Sequence, residues 1–159
     1  MATKKLFIAA STIDASAAEV FRWHEEPGAL ERLTPPWEPV EIERRPAGIR
    51  DGDRGALLVS LGPCKIRWVL EHRDYIQGAQ FRDVQISGPF RSWQHTHSFT
   101  PQGPKSSILE DRIEYILPMG SFGALFGNWF VQRKLKRLFE YRHRVTKEAM
   151  LVRHASKFE

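Results

Sequence analysis

The sequence predicts an α+β fold in which a curved, seven-stranded antiparallel sheet wraps around one long C-terminal helix. Between about residues 39 and 117, short segments with period-two alternation of apolar residues follow one another, separated by Gly- or Pro-containing turns. From about residue 122 to residue 150, apolar residues instead recur at helical spacing. A chain of 159 residues is large enough for one core, so residues 1–159 are predicted to form a single domain.

The N-terminal part is predicted to contain one strand and two short helices. The strand covers residues 4–11. Ser16 and Glu19 have the spacing of a capping box, so a helix is expected to start there and to continue to about residue 26. Pro27 and Gly28 end this helix, and residues 29–33 form a second helical turn before a Pro-Pro pair enforces an extended exit.

Six more strands are predicted at residues 39–45, 55–61, 64–73, 79–86, 91–100 and 106–117. Strands that follow one another across short turns indicate an antiparallel meander. A bent sheet with one apolar face needs a cover, and the long amphipathic helix supplies it, which defines a helix-grip fold. Two short helices rarely seal such a sheet completely, so an internal cavity between sheet and helix is expected.

Composition restricts the compartment and the partners. The formal net charge of +5 is too low to argue for nucleic acid by itself. The single cysteine, Cys64, excludes an intrachain disulfide and favours the reducing cytoplasm. The apolar run at residues 6–10 is too short for a signal peptide, and no segment approaches the roughly 18 apolar residues of a membrane span. We therefore expect a cytoplasmic protein without stable membrane insertion.

A series of short motifs extends over nearly the whole chain. They are Val20-Phe21, Leu33-Thr34-Pro35-Pro36-Trp37, Asp51-Gly52, Ile66-x-Trp68, Phe81-x-Asp83, Gly88-Pro89-Phe90, Trp93-x-His95-x-His97-x-Phe99, Asp111, Tyr115-x-x-Pro118-x-Gly120 and Tyr141-Arg142-His143. In this order they resemble the START and birch-pollen-allergen superfamily, also called SRPBCC. Within it they are most similar to bacterial ligand-binding members of the cyclase/dehydrase type.

The resemblance implies a hydrophobic cavity under the long helix and binding or transport as the default activity. Some relatives are enzymes, namely polyketide aromatase/cyclases. This type of domain also occurs joined to a nucleotide-sugar-epimerase-like domain, so the resemblance implies an epimerase-like protein as a candidate partner.

Alternation along the strands also assigns polar residues to the inner face of the sheet. Apolar and aromatic residues dominate this face, and it carries five titratable side chains as well: His72, Asp83, His95, His97 and Asp111. Turn lengths then estimate the strand registers. A two-residue turn at positions 77 and 78 sets His72 opposite Asp83, and a turn centred on position 103 sets His95 opposite Asp111. The result is an alternating row of imidazoles and carboxylates.

This row has more than one interpretation. It is either a structural ladder in which buried acids and imidazoles satisfy one another, or a polar patch that orients a ligand's carbonyl or hydroxyl group. Acid/base catalysis by His95 or His72 with an Asp partner is a further alternative. His95 and His97 with Asp83 or Asp111 offer metal-ligand chemistry, but the chain lacks a second tight ligand pair, so neither metal nor cofactor is expected.

We therefore expect non-catalytic binding of a small hydrophobic molecule such as a lipid, isoprenoid, quinone or polyketide. The alternatives are a cyclase or dehydratase, and a protein-interaction module with a filled core and an exposed apolar patch. No residue is assigned as catalytic. The residues expected to contact the ligand, with Trp37 at the rim, are Trp37, Trp68, His72, Phe81, Asp83, Trp93, His95, His97, Asp111, Tyr115 and Trp129.

The outer face of the long helix is rich in lysine and arginine. Such a face is usually only solvated, and an anionic membrane surface or a nucleic acid is the minority interpretation. No recognised nucleic-acid motif supports the latter, so no nucleic-acid partner is expected.

Overall fold

A computed structural model of the protein describes residues 3–61, 63–118 and 121–156. Along the chain, its elements are β1 (Lys5–Ile13), α1 (Ala17–Glu25), α2 (Ala29–Arg32), β2 (Val40–Arg44), β3 (Arg54–Leu61), β4 (Cys64–Ile76), β5 (Gln80–Ser87), β6 (Ser92–Gly103), β7 (Ser106–Ile116) and α3 (Ser121–Ala155). The predicted turn at Gly62 lies outside the described residues.

The seven strands form one antiparallel sheet in the order β1-β7-β6-β5-β4-β3-β2. Strands 2 to 7 follow one another as a meander, and β1 closes the far edge by pairing with β7. The closest backbone packing of α3 is with β1. This arrangement confirms the predicted α+β helix-grip fold.

Local sequence explains where the elements begin and continue. The capping box forms as predicted, since the Ser16 hydroxyl accepts a hydrogen bond from the Glu19 backbone N–H and the Glu19 carboxylate accepts one from the Ser16 N–H. Strand β4 extends three residues beyond the predicted end, because an irregularity at Asp74, with φ of 53°, lets the strand bend and continue. Helix α3 likewise continues five residues past position 150.

The register of β4 against β5 agrees with the prediction. His72 pairs with Asp83 as expected, and Asp83 pairs in turn with His95 on β6. The inward orientation of these side chains follows from the pleat, because residues opposite one another in a ladder point to the same face.

The predicted register of β6 against β7 is wrong by two residues. His95 lies opposite Ile113, and His97 lies opposite Asp111. The turn is centred on positions 104 and 105 instead of 103, and an irregularity at position 102 accompanies it. An even shift preserves the face on which each side chain lies, so the same five polar residues still meet inside the fold.

Two apolar clusters fill the space between the sheet and the helices. The first lies under α1 and the C-terminal part of α3, with Ile13, Phe21, Phe99, Leu109 and Met150 all buried. The second lies under the middle of α3, and its buried members are Trp93, Ile113, Tyr115, Leu135 and Phe139. Side chains of the polar row lie between the two, since His97 stacks on Phe81 of the first cluster and His95 meets Phe139 of the second.

The inner face of the sheet is covered unevenly. On β6 and β7 its apolar residues are buried, as Trp93 and Ile113 illustrate. On β3 and β4 the inward-facing Leu57, Ile66 and Trp68 are only half-buried. The distance of these strands from β1, against which α3 packs, explains the difference.

Gly88, in the loop between β5 and β6, permits the position of one of these aromatic side chains. A Cβ atom at this position would lie 2.3 Å from Cδ1 and 2.9 Å from Nε1 of Trp68. The indole has little freedom to retreat, because it packs against Phe90 and Trp93 at ring distances of 5.7 and 5.0 Å. Glycine is therefore required here by close approach.

We expect Gly88→Ala to destabilise the protein by about 1–3 kcal/mol, the usual range for overpacking. Urea unfolding followed by circular dichroism measures this. The matched control is Gly127→Ala in α3, where the added methyl would meet Leu117 at an ordinary 3.5 Å and should stabilise the helix by about 0.5–1 kcal/mol. Equal effects of the two substitutions would show that Trp68 is free to move.

Candidate functional site

The centre of the site is a closed ring of two imidazoles and two carboxylates. Strand β6 supplies His95 and His97, whose rings lie 3.8 Å apart, while β5 supplies Asp83 and β7 supplies Asp111. Each imidazole faces both carboxylates. His97 has Nε2 at 3.0 Å from Asp83 and Nδ1 at 2.8 Å from Asp111. His95 has Nε2 at 2.7 Å from Asp111 and Nδ1 at 3.6 Å from Asp83.

These distances favour different protonation states for the two histidines. Both nitrogens of His97 lie within 3.0 Å of a carboxylate oxygen, and two negative charges at this distance favour the cationic form, in which both nitrogens carry a proton. One short and one long contact instead suit a neutral His95 that carries its proton on Nε2. The ring then contains two negative charges and one positive charge.

The pKa values of His97 and His95 are shifted in the directions that these protonation states require. Burial opposes the charged form of His97, yet the two carboxylates outweigh it and raise its pKa to about 9. Burial and the neighbouring His97 charge lower the pKa of His95 to about 4. Burial alone would raise the pKa of each carboxyl group, but the surrounding imidazoles hold the pKa values of Asp83 and Asp111 well below their usual range.

The protonation of these groups therefore makes folding stability depend on pH in two opposite directions. The raised pKa of His97 gives a contribution to folding that is complete below its unfolded value of about 6.5 and is lost as pH rises through about 9. The depressed pKa values of Asp83 and Asp111 give contributions that are lost as pH falls through their folded values.

A fourth element, α3, joins the ring through His143. Its Nε2 donates to Asp111 at 2.7 Å, and its Nδ1 shares a 2.8 Å hydrogen bond with the Ser11 hydroxyl on β1. The adjacent Arg142 adds a positive charge attracted to both carboxylates, and burial lowers the pKa of its guanidinium. Sequence reasoning did not assign His143 to the site, although its position four residues after Phe139, on the buried face of the helix, was a usable signal.

His72 extends the ring toward the half-covered side of the sheet. Its Nδ1 lies 2.6 Å from Asp83 Oδ1, but neither atom makes an aligned hydrogen bond, so the contact is electrostatic. The side chains of His72 and Asp83 are 12% and 15% exposed, against 4% for His95 and Asp111. We call the whole assembly of Asp83, Asp111, His72, His95, His97 and His143 the His/Asp belt.

An aromatic wall lies next to the belt on the inner face of the sheet. Its members are Trp68, Phe90, Trp93 and Tyr115, with ring centroids 4.7–6.0 Å apart. The Tyr115 hydroxyl donates to Asn128 and accepts from Gln132, which ties the wall to α3. The indole N–H of Trp68 is buried and has no hydrogen-bond partner among the described residues.

Three residues expected to contact the ligand lie apart from this wall. Phe81 belongs to the first apolar cluster and stacks on His97 at 4.1 Å. Trp37 is exposed at the α2–β2 connection, where it packs edge-on against Tyr141. Trp129 is exposed on α3. The structure thus brings together Trp68, Trp93 and Tyr115, places Phe81 against the titratable residues, and leaves Trp37 and Trp129 at the surface.

Two surface grooves lie elsewhere. Both lie beside the C-terminal half of α3, one against Trp23 and Arg32, the other against Glu19 and Arg22. Neither is lined by a residue of the aromatic wall. The cavity expected under the helix therefore stays a prediction.

Donor atoms of Asp83, His95 and His97 lie within 4.8 Å of one another, a spacing that would suit a metal ion. The chemistry of the set argues against a ready-made site. Both nitrogens of His97 already face carboxylates, and its raised pKa means that a metal would have to displace a strongly held proton.

Comparison with known families identifies the class of protein. Residues 13–146 match the family described as polyketide cyclase / dehydrase and lipid transport. The match covers most of the chain, so the chain belongs to this family, and the predicted membership of the SRPBCC/START-like superfamily is confirmed. No curated protein matches the chain.

Solved structures share the fold at low sequence identity. The protein TTHA0849 from Thermus thermophilus is 21% identical, with a TM-score of 0.71 over 93% of this chain and 98% of the other. The Zhui aromatase/cyclase of Streptomyces sp. R1128 is 14% identical, with a TM-score of 0.63 over 99% and 97%. A nucleoside-diphosphate sugar epimerase from Corynebacterium glutamicum is 24% identical, with a TM-score of 0.67 over 94% of this chain but only 30% of the epimerase.

Among the residues described, no helix combines the length and the apolar character needed to cross a bilayer.

Asp111 is the more deeply buried of the two carboxylates in the belt, and three imidazoles contact it within 2.8 Å. We expect Asp111→Ala to destabilise the protein by about 3–5 kcal/mol, because it leaves the buried His95 and His143 donors without an acceptor and removes one of the two carboxylates that pair with His97. Combined with His95→Ala, the loss should be less than additive by about 0.5–3 kcal/mol. Chemical unfolding of the four proteins in the cycle measures both quantities.

Glu110→Ala, at the next position of the same strand and on the other face, is the control and should change stability by less than about 0.5 kcal/mol. Strict additivity in the cycle would contradict a shared network.

Proposed function

We propose that this chain binds a small, largely apolar molecule against the aromatic wall and the half-covered inner face of β3 and β4, without transforming it. The observation that carries the proposal is the uneven cover of the sheet. Inward-facing Leu57, Ile66 and Trp68 are apolar, yet only half-buried, although they belong to the interior face of the fold. Apolar surface left accessible inside a concave sheet is the usual lining of a ligand site.

The nature of the wall supports a ligand with an apolar body and one hydrogen-bond acceptor. Trp68, Phe90 and Trp93 offer ring faces and edges to flat or branched hydrocarbon. The buried indole N–H of Trp68 lacks an acceptor among the described residues, and a ligand carbonyl or hydroxyl oxygen would satisfy it after a small adjustment of the loop at Gly88. Lipids, isoprenoids, quinones and polyketides all combine these features.

The His/Asp belt supports binding rather than catalysis. Asp111 is surrounded by three imidazoles, and His97 is held as a cation between two carboxylates. A general base needs a free lone pair and a pKa near the working pH, which a strongly held imidazolium does not offer. The belt therefore suits a structural role, with only its more exposed end near the ligand.

The more exposed end of the belt, at His72 and Asp83, favours a second candidate function, that of a cyclase or dehydratase. The side chains of His72 and Asp83 are more exposed than those of His95 and Asp111, and His72 shares the inner face of β4 with Trp68. The contact between His72 and Asp83 is not an aligned hydrogen bond, so His72 is the group best placed to exchange a proton with a bound molecule. The printed name of the Streptomyces neighbour, an aromatase/cyclase, belongs to this class.

The proposal extends to a partner and to a cellular compartment. Association with an epimerase-like protein is proposed from the family resemblance alone; the structural similarity to part of an epimerase chain concerns the fold. Cys64 is exposed and free, which fits the reducing cytoplasm.

Thermal unfolding with palmitate, farnesol, decylubiquinone and emodin tests the binding proposal. A ligand that binds only the folded state at a hundredfold excess over Kd adds about 2.7 kcal/mol, which raises Tm by roughly 5–10 °C for a domain of this size. We expect at least one of the four to give such a shift. Native mass spectrometry of freshly purified protein is the companion measurement, because a carrier retains its ligand.

Leu57→Gln on the inner face of β3 should reduce the affinity for whichever compound gives the thermal shift at least tenfold. Leu58→Gln, which faces the opposite way on the same strand, should leave that affinity unchanged. Asp83→Asn should keep the fold and weaken binding.

The absence of any thermal shift, or an equal loss of affinity in both leucine variants, would refute the proposed site. Release of a chemically altered compound, abolished by His72→Gln, would favour the enzyme.

A further inference from the structure

Large aromatic side chains are exposed at one end of α3. Trp129 is 64% exposed and Phe130 is 50% exposed, and both lie on the outer side of the helix. Trp37, in the connection before β2, is 42% exposed and lies beside the same helix, where its ring contacts Tyr141 and Arg137. Single exposed apolar residues are ordinary, but three large exposed rings along one helix are unusual and indicate an interaction surface.

Cations accompany each of these rings. The guanidinium of Arg133 lies 5.7 Å from the centre of the Trp129 ring, and the ammonium of Lys134 lies 5.7 Å from that of Phe130. Both pairs have the i, i+4 spacing of helical neighbours. We call this surface the basic aromatic face; its members are Trp37, Trp129, Phe130, Arg133, Lys134, Lys136 and Arg137.

The positive charge of this face is mostly uncompensated. In the part of the chain that the structure describes, Lys134 pairs with Glu38 at 3.3 Å, whereas Arg133, Lys136 and Arg137 have no acidic partner within ion-pair distance. Glu140, exposed one turn further along, is the acidic residue that borders the face. The C-terminal half of α3 differs, because there Arg144 pairs with Glu148.

Aromatic rings among cations suit either a bilayer surface or single-stranded nucleic acid, and the geometry separates the two. Bases stack on open aromatic faces. Here a cation already lies over each ring, and Trp37 in addition meets Tyr141 edge-on. At a lipid surface the same arrangement is favourable, because the rings enter the headgroup level while the neighbouring cations contact phosphates.

We propose that the basic aromatic face docks reversibly on an anionic lipid bilayer. The cations attract the protein to the negatively charged surface, and Trp129 and Phe130 then enter the interface beside them. The association is peripheral, consistent with the absence of a membrane-spanning helix among the described residues. This surface is separate from the aromatic wall inside the fold, so it does not rest on the proposed ligand and can be tested without one.

Co-sedimentation with large unilamellar vesicles tests the proposal. We expect the protein to bind vesicles that contain phosphatidylglycerol and not vesicles of pure phosphatidylcholine, with weaker binding as salt increases. The double variant Arg133→Gln/Arg137→Gln should weaken binding at least tenfold. The double variant Trp129→Ala/Phe130→Ala should also weaken vesicle binding at least tenfold. Because this variant keeps the net charge, its effect separates ring insertion from electrostatic attraction.

The matched control is Arg144→Gln/Lys147→Gln, which removes two positive charges from exposed positions further along the same helix. It should retain binding within about threefold of the original protein, as expected for charges outside the docking surface. Circular dichroism melting confirms that each variant is folded.

Three results would overturn the proposal: equal losses in the control and the Arg133/Arg137 variant, equal binding to both vesicle types, or no binding at low salt. Binding to an oligothymidylate that the aromatic substitutions abolish, without vesicle binding, would identify nucleic acid as the partner instead.

Discussion

The fold depends on the mutual neutralisation of imidazoles and carboxylates in its interior. Four strands and α3 converge on the His/Asp belt: Asp83, His95, His97 and Asp111 come from three adjacent strands, His72 from a fourth, and the helix adds its own histidine. Each buried carboxylate would be costly alone, and each is acceptable because imidazole N–H groups surround it. Through the hydrogen bond between His143 and Asp111, the belt also ties α3 to the sheet.

The belt also divides the interior into two parts with different properties. On one side Phe21, Leu109 and Met150 form a closed apolar core. On the other, α3 lies nearest to β1, and the inner face of β3 and β4 remains half-covered. The proposed ligand site and the closed core thus lie at different ends of the same sheet.

Much of the fold could be predicted because alternation and helical spacing determine faces. The capping box at Ser16, the inner face of the central strands and the His72–Asp83 register all follow from local pattern. The β6–β7 register did not, because Pro and Gly at positions 101–104 allow several turn lengths and only an irregularity resolves them. His143 was missed because its partner Asp111 lies 32 residues away on another element, a contact that local patterns do not encode.

The protonation state of His97 tests the central claim most directly. Long-range ¹H–¹⁵N correlation spectra of ¹⁵N-histidine-labelled protein report each ring nitrogen, and His97→Gln identifies the signal. The account predicts that His97 carries protons on both nitrogens up to about pH 9, while His95 remains neutral with its proton on Nε2 down to about pH 4. A His97 that loses its proton near pH 6.5, which is about the ordinary value for an exposed imidazole, would contradict it.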